Sequence, residues 1–186
     1  MSTATIARVQ DLTGTYTLDP SHSRIGFVAR HAMIAKVRGA FNEVSGTATI
    51  DGANPAASSL EVTIQAASID TRDANRDGHL TSPDFFDAGT YPTITFVATG
   101  FAITDDATVE VTGDLTIKGV TKPVTVPFEF GGAATDPFGN DRIGFEGQVV
   151  VNRKDWDLTW NAALETGGVL VSDKVTLEFE VSAVRA

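Results

Sequence analysis

Residues 109–130 read VEVTGDLTIKGVTKPVTVPFEF, and this stretch decides the fold class. Val109, Val111, Leu115 and Ile117 fall on one side of an extended chain, because successive side chains of a strand point to opposite faces. Val124, Val126, Phe128 and Phe130 repeat the pattern, and the intervening positions are mostly polar. Between the two runs, Lys118-Gly119-Val120-Thr121-Lys122-Pro123 reads as turn material. Two strands with one dry face each and a short connection pair antiparallel.

The same period of two recurs outward in both directions. Ile25, Phe27 and Ala29 share a face, as do Leu60, Val62, Ile64 and Ala66, and then Ile94, Phe96 and Ala98. Towards the end, Ile143, Phe145, Val149 and Val151 alternate, followed by Val175, Leu177, Phe179 and Val181. Turns are read at 51–55, at Asp105-Asp106, at Gly131-Gly132 and at 136–141. The strands are long, roughly ten residues where five or six is typical. About eight long antiparallel strands with a single dry face close on themselves, which removes exposed edges. The expectation is an all-β fold: one eight-stranded antiparallel barrel spanning 15–186, preceded by a flexible tail over 1–14. Pro127, Gly144 and Gly147 interrupt their strands and are read as bulges or bends. The alternative they leave open is a sandwich with Pro127 on an edge.

Residues 71–87 break the alternation. Thr71 is a helix-capping residue type and Asp73 suits a first turn. Ser82-Pro83 is a second start signal, and Tyr91-Pro92 forces the chain back to extended structure. A short helical excursion carrying Phe85 and Phe86 across the barrel or one of its mouths is expected.

Composition excludes several functions. The chain has no cysteine, so disulfides, thiolate metal sites and cysteine nucleophiles are absent. A formal net charge of −10 disfavours nucleic acid and anionic membrane surfaces as partners of the chain as a whole. His22, His31 and His79 lie in separate segments without metal-ligand spacing, and no phosphate loop or nucleophile elbow occurs. No stretch is apolar enough to span a bilayer as a helix, and the start lacks the features of a leader, so cytoplasmic residence is expected. The 11 phenylalanines against 2 tyrosines and 2 tryptophans favour a dry interior over a wet interface. Periodicity alone does not separate a packed core from an occupied cavity, so both readings stand.

Several stretches resemble the YceI-like family. They are Tyr16–Phe27, Lys36–Phe41, the run Arg76-Asp77-Gly78-His79-Leu80 with Ser82–Asp87 and Tyr91-Pro92, the hairpin Gly113–Val124, and Asn152–Trp156. The resemblance implies a lipocalin-like barrel that takes polyisoprenoids, isoprenoid quinones or long fatty amides, with frequent dimers and an often periplasmic location. No catalytic residue, metal or cofactor is expected; the partner is a hydrophobic small molecule, with homodimerisation implied. Ile25, Phe27, Phe41, Ile64, Phe85, Phe86, Ile94, Phe96, Leu115, Ile117, Phe128, Phe145 and Phe179 are the expected lining residues. Arg38, Arg76, His79 and Arg153 are the candidates for a polar mouth, each with a competing reading as a surface or capping ion pair. Two rival functions are an enzyme on a lipidic substrate using His79 or His31, and a stress-linked interaction module with a filled core.

Overall fold

The structure, a computed structural model, describes residues 8–186. Eleven strands follow one another: β1 (Gly14–Leu18), β2 (Arg24–His31), β3 (Ala35–Phe41), β4 (Val44–Ile50), β5 (Ser59–Gln65), β6 (Ile69–Asp70), β7 (Thr93–Ile103), β8 (Thr108–Ile117), β9 (Val120–Thr135), β10 (Asp141–Asn152) and β11 (Lys174–Arg185). The first six are three long strands, each bent once. β11 runs beside β1 from Ala183 to Arg185 and beside β2 from Thr176 to Glu180, across the single turn Pro20–His22. β3 and β4 are split at Asn42 and Glu43, and β5 and β6 by the turn Ala66–Ser68. The three bends lie at one level. With each bent pair counted as one strand, eight antiparallel strands follow one another round a ring that β11 closes onto β1 and β2. The barrel reading therefore holds and the sandwich does not.

Local chemistry corrects several sequence boundaries. Lys118 and Gly119 alone form the β8–β9 turn, both with positive φ (51° and 75°), and Ile117 pairs with Val120. This is the two-residue geometry whose twist suits a hairpin. Thr121, Lys122 and Pro123, read as loop, are exposed residues within β9. Gly131-Gly132 is not a hairpin turn. It lies inside β9, where the register with β10 shifts between Gly144 and Phe145. The hairpin turn is at 136–140, where the Asp136 carboxylate accepts from the amides of Phe138 and Asn140.

The ring has two weak places. The β9–β10 ladder ends at Gly147 and Phe128, so Val120–Pro127 of β9 has only β8 beside it. Pro127 is the first residue past the ladder, where a missing N–H costs least. The gap is filled by Trp156, only 2% exposed, and by Leu158. On the other side β5 pairs with β7 only through Thr93–Val97, and the turn Pro55–Ala57 packs against β7.

Both ends are covered. Residues 1–7 of the expected tail lie outside the described residues. The rest of that segment is not loose: Val9 and Leu12 are each 3% exposed, and the Val9 amide donates to the Asp106 carbonyl at 3.2 Å. Two isolated apolar residues give no periodicity, yet both are spent on closing the barrel. At the opposite end lies α1 (Ala74–Thr81). Its cap is Asp73, which accepts from the amides of Asn75 and Arg76, each at 3.0 Å. Thr71 is not the cap; its hydroxyl and amide donate to the Asp77 carboxylate at 2.6 and 2.9 Å.

Candidate functional site

A cavity of about 300 Å³ runs along the barrel interior. Its wall extends from Val9, Asp51 and Pro55 at the N-terminal turn to Phe85, Leu158 and Val171 beside α1. On β7 alone it spans Ile94 to Ile103, roughly 30 Å along the strand. So small a volume over so long a path is a narrow tunnel. All thirteen apolar residues expected to line a cavity face it.

The wall also holds residues that the sequence pattern hid. On β7, Ile94 and Phe96 point inward, but beyond the bulge at Ala98/Gly100 the inward residues are Phe101 and Ile103. The bulge exchanges the faces, so an uninterrupted period of two misses them. Trp156, Leu158 and Val171 come from the long segment between β10 and β11, which has no periodicity. Of the small residues Ala29, Ala66 and Ala98 on the alternating faces, only Ala29 lines the tunnel. Gly147 instead lets β10 approach β9: a Cβ there would stand 2.8 Å from the Pro127 carbonyl.

The tunnel surface exposes no polar atoms. Asp51 and Ser58 contribute at one end and Arg153 at the other, through their carbon atoms. Arg153 is 5% exposed and folds the 153–172 segment around itself. It donates to the carbonyls of Ser172 (2.8 Å), Leu158, Trp160 (2.9 Å) and Val171 (3.4 Å). Burial pushes its pKa below the ordinary guanidinium value, and Asp173 at 3.9 Å opposes that. Its donors are committed to the fold, so Arg153 is a strut at the tunnel end.

The other three mouth candidates do not reach the tunnel. Arg38 points outward from β3 towards Glu178 at 3.6 Å. Arg76 donates to the Thr71 hydroxyl and carbonyl, both at 2.8 Å, and ties α1 to β6. His79 pairs with Asp84 at 2.9 Å, with its ring edge-on to Phe85 and Trp160. These geometries match the capping and ion-pair readings.

Asp19, Ser21 and His22 meet on the surface, but one ring nitrogen, Nδ1, faces both Ser21 (3.0 Å) and Asp19 (2.8 Å). A relay needs the two nitrogens in different roles. Asp19 belongs to a clamp instead. Arg142 bridges it (2.6 Å) to Asp136 (2.8 Å), tying the first bend to the β9–β10 turn. Arg142 and the neighbouring Ser21 donors hold the Asp19 carboxyl well below the usual range; Asn140, then Arg142, do so for Asp136. Among the described residues no cluster of histidine and carboxylate side chains is fit for a metal.

Comparison with known proteins gives a consistent result. Residues 16–183 match the YceI-like domain. A UPF0312 protein of Ectopseudomonas mendocina is 39% identical over 152 residues, covering 81% of this chain and 80% of that protein. The crystal structure of Burkholderia cenocepacia BcnA superposes with a TM-score of 0.77 at 30% identity, over 89% of this chain and 98% of that one. A polyisoprenoid binding domain from Saccharophagus degradans shares the fold, with a TM-score of 0.70 at 18% identity over 92% and 98% of the two chains.

Proposed function

Because this chain belongs to the YceI-like domain family, we propose that its barrel takes up one long apolar molecule, a polyisoprenoid, isoprenoid quinone or long fatty amide, and carries or sequesters it. The observation that carries this reading is the tunnel running from end to end without a polar atom on its wall. Such a wall gives a hydroxyl, amide or charge no partner, and each unpaired polar group would cost a few kcal/mol. It favours uninterrupted hydrocarbon. Each CH₂ moved from water contributes about 0.8 kcal/mol, so ten of them supply about 8 kcal/mol before ordering costs. The fold shared with a polyisoprenoid binding domain supports the same class of ligand.

The mechanism is transfer and protection, without bond making. Titratable side chains meet the tunnel only at its ends, as Asp51 and Arg153, and neither offers a polar atom to the interior.

Displacement of an apolar fluorescent probe by a series of prenyl or acyl chains tests the reading. Affinity should rise about fourfold per added CH₂ and level off once the chain fills the tunnel. Failure of every chain length to displace the probe would refute it.

A further inference from the structure

Two hairpin tips project side by side at the α1 end of the barrel. One is the β2–β3 turn. The other is a small hairpin within residues 162–170, closed by the bridge between Ala163 and Val169. They are joined: the Ala32 amide donates to the Leu170 carbonyl at 2.7 Å, and His31 pairs with Val171. Together they expose Met33 (57%), Ile34 (81%) and Val169 (37%) to solvent. Ala32 and Met33 hold positive φ (51° and 61°), a costly conformation for residues with side chains.

The charge around this lobe runs against the rest of the chain. Arg30 and Lys36 are direct cross-strand partners, like charges whose pairing is unfavourable. Among the described residues neither has a salt-bridge partner. Over residues 28–38 and 158–172 Glu165 stands against Arg30, Lys36 and Arg38; Asp157 and Asp173 flank the second stretch and Arg38 is paired with Glu178, which leaves Arg30 and Lys36 as the basic pair of the lobe. All five lysines, Lys36, Lys118, Lys122, Lys154 and Lys174, lie at this end, where they offset Asp73, Asp77, Asp84, Asp87, Asp155, Asp157 and Asp173. The opposite end turns on Asp51, Asp105, Asp106, Asp136 and Asp141. An exposed phenylalanine there, Phe138, stands between Asp136 and Asp141, a setting that anionic lipid would repel.

We propose that the lobe docks the barrel on an anionic lipid bilayer, with Met33, Ile34 and Val169 entering the headgroup region and Arg30 and Lys36 meeting lipid phosphates. Apolar tips with a basic collar are held at such surfaces by both terms together. The docked end is continuous with the tunnel, since Ala29 and Val171, next to the two tips, line it. This rests on the carrier reading: the lobe sets that end of the tunnel against the medium that holds its cargo.

Flotation of the whole chain with vesicles of phosphatidylcholine, with and without phosphatidylglycerol, tests the proposal, with probe uptake from ethanol solution measured in parallel. The wild type should float with the anionic vesicles and come off as salt rises. Arg30→Gln with Lys36→Gln should weaken partitioning about thirtyfold, and Ile34→Asp should weaken it at least as much. Phe138→Asp should change nothing, and all the variants should take up probe as the wild type does. Absence of flotation with probe uptake intact overturns docking alone. Equal flotation of wild type and lobe variants, or loss in Phe138→Asp only, also overturns it. Absence of probe uptake by the wild type removes the carrier reading itself.

Discussion

Trp156 Nε1 donates to the Leu115 carbonyl at 2.9 Å, across a part of the wall where β9 and β10 share no ladder. One side chain thus does the sealing that backbone bonds do elsewhere in the ring. Trp156→Phe keeps most of the volume and loses the donor. It should cost about 1–3 kcal/mol, and Trp156→Ala about 3–5 kcal/mol, both read from urea unfolding. The Phe variant should also release a bound apolar probe faster in stopped-flow, because the seam it leaves is looser.

The clamp of Asp19, Arg142 and Asp136 predicts an acid response. Both carboxyls are held below their unfolded value of roughly 4. They therefore bind fewer protons folded than unfolded between those values. The stability they add is present above about pH 4 and is lost as pH falls below it. Wild type and Arg142→Met should differ in unfolding midpoint at pH 7 and converge as pH falls through that window. A constant difference down to the acid limit would contradict this origin.

The barrel was legible in the sequence because each long strand keeps one dry face. β8 shows it most plainly: Val109, Val111, Leu115 and Ile117 all reach the tunnel. What stayed hidden has physical causes. The bulge at Ala98/Gly100 moved Phe101 and Ile103 onto the inner face; Gly100 is the local signal for it, but a single strand glycine does not say that the faces exchange. Trp156, Leu158 and Val171 enter the wall from a segment held by the Arg153 guanidinium and four carbonyls, a non-local arrangement without a period. Val9 and Leu12 seal an end as single residues. Of the four polar residues read for a mouth, Arg153 stands at the tunnel end, while Arg38, Arg76 and His79 lie off its wall. Residue type alone suggested them, and only the partners show where their donors are spent.

The cap of α1 gives a local prediction. Asp73 satisfies two amides of the first turn, so Asp73→Ala should cost about 1 kcal/mol. Thr71→Val removes the hydroxyl that donates to Asp77 and accepts from Arg76, and should cost a similar amount. Faster amide exchange confined to residues 74–86 would mark the effect as local.

Val126 is 2% exposed, faces the tunnel and pairs with Val111, midway along β8. Val126→Trp should plug the passage there, at an overpacking cost of about 1–3 kcal/mol. Its circular dichroism should stay that of the wild type, while the tunnel no longer accepts a chain through its full length.

Native mass spectrometry of the wild type and Val126→Trp, as purified and after incubation with a polyisoprenoid, tests the central claim most directly. One apolar molecule per wild-type chain, recovered intact by organic extraction, is expected, with little or none on the plugged variant. A wild type that stays at its apo mass, or a plugged variant that loads equally, would contradict it.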